Sequence, residues 1–162
     1  MPRERLPKWL CFKAAKHDND FLPDYFRMTE PYISERFADL LRGFDIGETR
    51  FYPIDLYQAD RTTKRPDKIF IMNIVSQKPG SWDEAQSRSN TWSPVTETHR
   101  LFRSFIAFDD RVAVKASTRK GADLWVDPVL EGCLFFSDRL KRAIAGSNMR
   151  PKLTFYRCKI VG

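Results

Sequence analysis

The side chains able to do chemistry in this chain are few, and their spacing suits no familiar reaction. His17 and His99 are its only histidines, about eighty residues apart, and no Cys-x-x-Cys pair accompanies either. A structural zinc site needs four closely spaced soft ligands, so the histidines are expected at the surface and the thiols in the core. Cys11, Cys133 and Cys158 are odd in number, widely separated and free of any Cys-x-x-Cys pair. That usage fits a reducing compartment and unpaired thiols. The seven glycines are scattered, with no Gly-x-x-x-x-Gly-Lys and no Gly-x-Gly-x-x-Gly to cradle a phosphate. His99, Asp109 or Asp110 and a serine could be assembled into a triad, but no Gly-x-Ser-x-Gly elbow accompanies them. Paired carboxylates of the glycosidase kind are defined by a distance in space, not by sequence. The expectation is a protein with no catalytic residue, no metal and no cofactor, hence not an enzyme.

What remains is binding. Trp82 and Trp92 lie in the polar stretch from Gln77 to His99, among Ser, Gln, Asn and Pro. An aromatic in a polar loop either plugs the loop onto the core or waits for a partner. A patternless segment of more than about 15 residues in a compact domain is usually functional or disordered. This stretch is therefore the expected partner-binding site, with Trp82 and Trp92 as anchors and Asp83 as a polar neighbour. The competing possibility is that the two Trp fasten the loop to the sheet while Asp83 and Ser87 cap a short helix within it. Arg119 and Lys120, a basic pair in a turn before Gly121, join the candidate contacts.

These residues need a scaffold, and the chain describes much of it twice. Ser34-Glu35-Arg36-Phe37, Leu40-Leu41, Gly43 and Phe51-Tyr52 are echoed by Ser137-Asp138-Arg139-Leu140, Ala143-Ile144, Gly146 and Phe155-Tyr156. Each copy has a capping serine, an acidic first helical position, an apolar stripe at i, i+3, i+4 and a closing glycine before an aromatic-led strand. Helices are expected over Ser34 to Phe44 and Ser137 to Ala145. The nearly unbroken apolar run Ile69 to Val75 suits a strand covered on both faces. Further strands are expected at Lys8 to Ala14, Phe51 to Tyr57 and Leu153 to Val161, with Asp109-Asp110 as a hairpin turn. The expected fold class is α+β: mostly antiparallel sheet with two main helices in a repeated helix-strand unit.

At 162 residues with 42% apolar content, one domain spanning 1–162 is expected. The formal net charge of +7 invites an acidic protein partner or nucleic acid. The basic residues are scattered, and most aromatics, such as Phe37, Phe44, Phe70 and Phe135, occupy apolar contexts, so a basic nucleic-acid-binding module is the alternative rather than the leading reading. The first 19 residues lack a secretory apolar core, and no stretch reaches the ~20 residues of a membrane span. A cytoplasmic protein is expected.

The order of these pieces resembles a known family. The capped helix at Ser34-Glu35-Arg36 is followed by Phe51-Tyr52-Pro53-Ile54 and Ile69-Phe70-Ile71-Met72-Asn73-Ile74-Val75. Asp83 and Ser87 come next, spaced Asp-x-x-x-Ser, then Leu124-Trp125-Val126-Asp127, Phe135-Phe136-Ser137-Asp138-Arg139-Leu140 and a Phe155-led terminal strand. From Ser34 to Val161 the chain is similar to the eleventh class of bacterial polymorphic-toxin immunity families, originally a domain of unknown function. The resemblance implies a small cytoplasmic α+β protein encoded beside a secreted toxin, which it binds and neutralises without catalysis. It assigns no contact residues.

The missing ligand spacing generates a direct expectation. Elemental analysis of purified, untagged protein should find no transition metal approaching one atom per chain.

Overall fold

The computed structural model describes residues 3–11, 22–88, 91–96, 99–103, 108–130, 132–150 and 153–162, with backbone alone over 91–96 and 99–103. Its largest sheet has five strands in the order β1-β4-β5-β3-β2. They are β1 (Trp9–Cys11), β2 (Tyr25–Arg27), β3 (Pro31–Ser34), β4 (Arg50–Tyr57) and β5 (Ile69–Asn73). All neighbouring pairs are antiparallel except β1 with β4. The doubly covered strand expected at Ile69 to Val75 is β5, which ends at Asn73 and leaves Val75 exposed. Ile69 and Ile71 enter one core cluster with Tyr32, Ile54 and Leu56, while Met72 joins a second cluster beneath the helices.

Helices α1 (Glu35–Arg42) and α2 (Asp138–Gly146) form where the two serine-led segments stand. Their matching faces meet: Phe37, Ala38 and Leu41 of α1 and Leu140 and Ile144 of α2 are buried together with Ile33, Met72, Leu124 and Met149. Leu40 packs against this cluster while partly exposed. The closing glycines act differently in the two copies. Gly43 caps α1, whereas α2 runs through Gly146 and ends at Ser147.

The repeat extends further upstream than the serines. Each helix is preceded by a short hairpin, β2–β3 for α1 and β9 (Leu124–Trp125) with β10 (Phe135–Phe136) for α2. An aspartate stands just before each hairpin, and both Asp24 and Asp123 are buried. The Ser34 hydroxyl donates to Asp24 Oδ1 at 2.6 Å and accepts the Phe37 amide. The Ser137 hydroxyl donates to Asp123 Oδ1 at 2.5 Å and accepts the Leu140 amide. Arg36 and Arg139, each at the second helical position, pair with the same carboxylates.

The other donors cross between the copies. Asp24 Oδ2 accepts the amide of Arg150, beyond the end of α2, and the Asp24 amide donates to the Arg150 carbonyl. Asp123 Oδ2 accepts the amide of Asp45, beyond the end of α1, and the Asp123 amide donates to the Asp45 carbonyl. The carboxylate at the head of each helix thus ties down the exit of the other.

Elsewhere the topology departs from the expected hairpins. Among the described residues, Asp109-Asp110 joins no pair of hydrogen-bonded strands. β6 (Thr91–Thr96) pairs with β7 (His99–Arg103), and β8 (Ala113–Lys115) pairs in parallel with β11 (Lys159–Val161). Both aspartates are turned to Arg157: Asp109 Oδ1 accepts its amide, and Asp110 forms an ion pair with its guanidinium. The terminal strand is accordingly shorter than Leu153 to Val161. Leu153 and Phe155 pack against the helix core, Phe155 edge-on to Phe136 at 5.3 Å, and among the described residues that stretch pairs with no strand. Of the strand expected at Lys8 to Ala14, residues 12–14 lie outside the described residues.

Two outcomes follow from the crossed contacts. Ser34→Ala and Ser137→Ala should each lower unfolding free energy by about 1 kcal/mol or more, because each hydroxyl serves a helix cap and a buried carboxylate. The Asp123 carboxyl is held below its usual range, first by the hydrogen bond from Arg139 and also by Ser137 and the Asp45 amide, against the opposing effect of burial. A depressed folded-state value means its stabilisation is present above the unfolded value near 4 and is lost as pH falls through the folded value. Asp123→Asn should cost about 2–3 kcal/mol at pH 7, and denaturant titration should show that deficit shrinking as pH falls below about 4.

Candidate partner-binding surface

The polar stretch chosen from sequence is not one long loop. Its second half supplies β6 and, at His99, the start of β7, with a register shift between Pro94 and Thr96. Proline is tolerated there because a strand needs no amide donor on an unpaired side. Trp92 sits in β6 opposite Phe102 in register; its side chain lies outside the described residues. His17 also lies outside them, and His99 is described by backbone alone.

The first half is a set of turns fastened inward. Asp127 is 2% exposed, and its Oδ2 accepts the Ser81 amide, the Ser81 hydroxyl and the Trp82 amide at 3.0, 2.8 and 3.2 Å. Its Oδ1 accepts the Val129 amide at 2.9 Å. A buried carboxylate survives only with such donors. Here they fix the backbone that turns Trp82 into the protein.

Trp82 is 9% exposed and packs with Val114, Trp125, Leu130 and Phe135. Its indole Nε1 donates to Ser87 Oγ at 2.8 Å. That hydroxyl donates to the Asp83 carbonyl at 2.6 Å and accepts the Ala113 amide at 2.9 Å. Asp83 Oδ1 accepts the Gln86 amide, closing a single turn over 84–86. Trp82 is therefore fastened to the core, and Asp83 and Ser87 cap the turn between Trp82 and β8. Asp83 keeps partial exposure, and Glu84, Ala85 and Gln86 are exposed.

Arg119 and Lys120 come from a 3-10 segment, Ala116–Arg119, and the turn after it. Lys78 holds this segment from within. Its ammonium donates to the carbonyls of Thr118, Lys120 and Ala122 at 2.8, 2.9 and 3.0 Å. It also lies 3.9 Å from the centre of the Trp125 ring, a cation–π contact. Burial pulls its pKa below the ordinary lysine value. Arg119 and Lys120 themselves are exposed. The same core therefore backs both the turn at 83–86 and the basic pair, because Trp125 contacts Lys78 and packs in the cluster that holds Trp82.

Sequence reasoning missed Asp127 and Lys78, the groups that set this surface in place. Each is a lone charged residue met by backbone groups 40–46 residues away, which no local pattern records. Among the described residues, no three His, Cys, Asp or Glu side chains converge as a metal site would require. The cysteines among them are free thiols. Cys158 is pushed up to about 11, first by burial and then by Cys133 beside it. A thiol so weakly ionised is a poor nucleophile. No described helix is long and apolar enough to cross a membrane.

Comparison with known proteins adds one finding. The model of the immunity protein family Imm11 matches residues 7–159. No curated protein sequence and no solved structure matches the chain significantly.

The packing predicts a division of labour measurable by denaturation. Trp82→Ala should destabilise by about 3 kcal/mol, as loss of a packed indole does. Arg119→Ala and Lys120→Ala should each stay within about 0.5 kcal/mol of the parent chain.

Proposed function

Because the chain belongs to the Imm11 immunity protein family, we propose that it binds a cognate bacterial toxin in the cytoplasm and neutralises it by occlusion, without catalysis. The match over residues 7–159 is the observation that carries this reading. An occluding inhibitor needs a rigid face rather than reactive groups. A tight interface of that kind buries about 1,600 Å² in total and draws most of its energy from a few residues.

The contact face in this reading is built on the turn at 83–86, the basic pair Arg119 and Lys120, and the β6–β7 hairpin that carries Trp92. Trp82 serves this face from beneath as its support, because its indole is packed and hydrogen-bonded inside the protein. The net charge of +7 favours fast approach to an acidic toxin surface.

Co-expression with the toxin encoded in the neighbouring reading frame tests the proposal. Growth should be rescued, and an equimolar complex should form from the purified proteins. Association should slow about tenfold or more as salt is raised through the physiological range. Absence of a complex, together with tight binding to DNA of any sequence, would favour the nucleic-acid module instead.

A further inference from the structure

Exposed apolar side chains gather where the C-terminal segment runs beside the face just described. Phe108 is 58% exposed, Tyr156 47% and Ile160 40%. Chain pairing sets the segment that carries Phe108 beside the one that carries Tyr156 and Ile160. The Asp110 amide donates to the Arg157 carbonyl at 2.7 Å, and the Arg157 amide donates to Asp109 Oδ1 at 2.7 Å. Phe108 and Tyr156 each stand one residue from this double link. Ile160 follows in β11, level with Val114 of β8. The Lys159 ammonium donates to Gln86 Oε1 at 2.8 Å, which joins β11 to the turn at 83–86.

The backbone beneath these side chains is held firmly. Phe155 is locked edge-on against Phe136, and the β8–β11 ladder and the Arg157–Asp110 ion pair hold the rest. A fixed backbone with protruding apolar side chains loses little conformational entropy when covered, which is the condition for an energetic anchor.

The surroundings select the occupant. Residues 108–120 and 156–161 carry six basic and two acidic side chains. Both acidic groups are engaged by Arg157. The excess positive charge around the apolar trio matches an acidic protein surface and would repel a basic one.

We propose that Phe108, Tyr156 and Ile160 are the apolar anchors of the toxin interface and seat on an acidic, partly apolar face of the toxin. The inference rests on the functional reading above and moves the anchoring role from Trp82 to these three side chains.

The test is calorimetric titration of the chain with a catalytically inactivated form of the toxin encoded beside it. Tyr156→Ala and Ile160→Glu should each weaken binding about 30-fold or more, with melting temperatures close to that of the parent chain. Phe108→Ser, at the most exposed of the three positions, gives the same readout should either substitution near β11 unsettle the fold. Trp9→Ala, at the 52%-exposed indole on edge strand β1 of the five-stranded sheet, should bind like the parent. Full affinity in Tyr156→Ala, Ile160→Glu and Phe108→Ser, or an equal loss in Trp9→Ala, would overturn the proposal while leaving the toxin-binding reading standing. Failure of the unaltered chain to bind would remove that reading and the proposal together.

Discussion

Two buried carboxylates, Asp24 and Asp123, are the constraint on which the rest of the architecture depends. Removing a carboxylate from water is costly unless its oxygens are filled with donors. Each is filled from the same three sources: a capping serine, the arginine at the second helical position, and a backbone amide past the end of the other helix. Because the last donor is crossed, neither helix can slide or unwind at its exit without uncovering a buried charge at the start of its neighbour. The apolar faces of α1 and α2 supply adhesion, and the carboxylates supply register.

From that register the outer surface follows. Asp123 leads straight into β9, so fixing it also fixes Trp125 and, through the pairing with β10, Phe135 stacked on it at 5.5 Å. Those rings form the floor on which Trp82 rests. Asp127, four residues after Asp123, then holds the Trp82 turn by the same device of a buried carboxylate surrounded by amides and a hydroxyl. Lys78 does the converse, filling its ammonium with carbonyls. Mixed-charge, partly apolar chain at 83–86, 108–120 and 156–161 is thereby carried on a floor with little freedom.

The burial of Trp82 shows how local context misleads about a tryptophan. In a sequence, a Trp among Ser, Gln and Pro looks stranded. In the fold, Ser87 is its hydrogen-bond partner and Ser81 is a ligand of the carboxylate that orients it. The polar neighbours that made Trp82 look exposed are the ones that bury it.

The amino-acid sequence by itself determined the two helices, their capping serines, the faces they bury and the doubly covered strand β5. In each case the signal is local, a side-chain pattern repeating every 3.6 residues or an apolar run bounded by turns. It also carried enough ordered motif to indicate the family. Tertiary structure alone decided the partners of Asp24, Asp123, Asp127 and Lys78, the parallel pairing of β8 with β11, and which aromatics remain in water. The contacts that close these outcomes, from Arg150 to Asp24, Asp45 to Asp123, Ser81 to Asp127 and Lys78 to Thr118, join residues roughly 40 to 130 positions apart. A buried charge leaves little local signature, because many of its partners are backbone amides and carbonyls, which nearly every residue possesses, and only the folded chain selects which ones it meets.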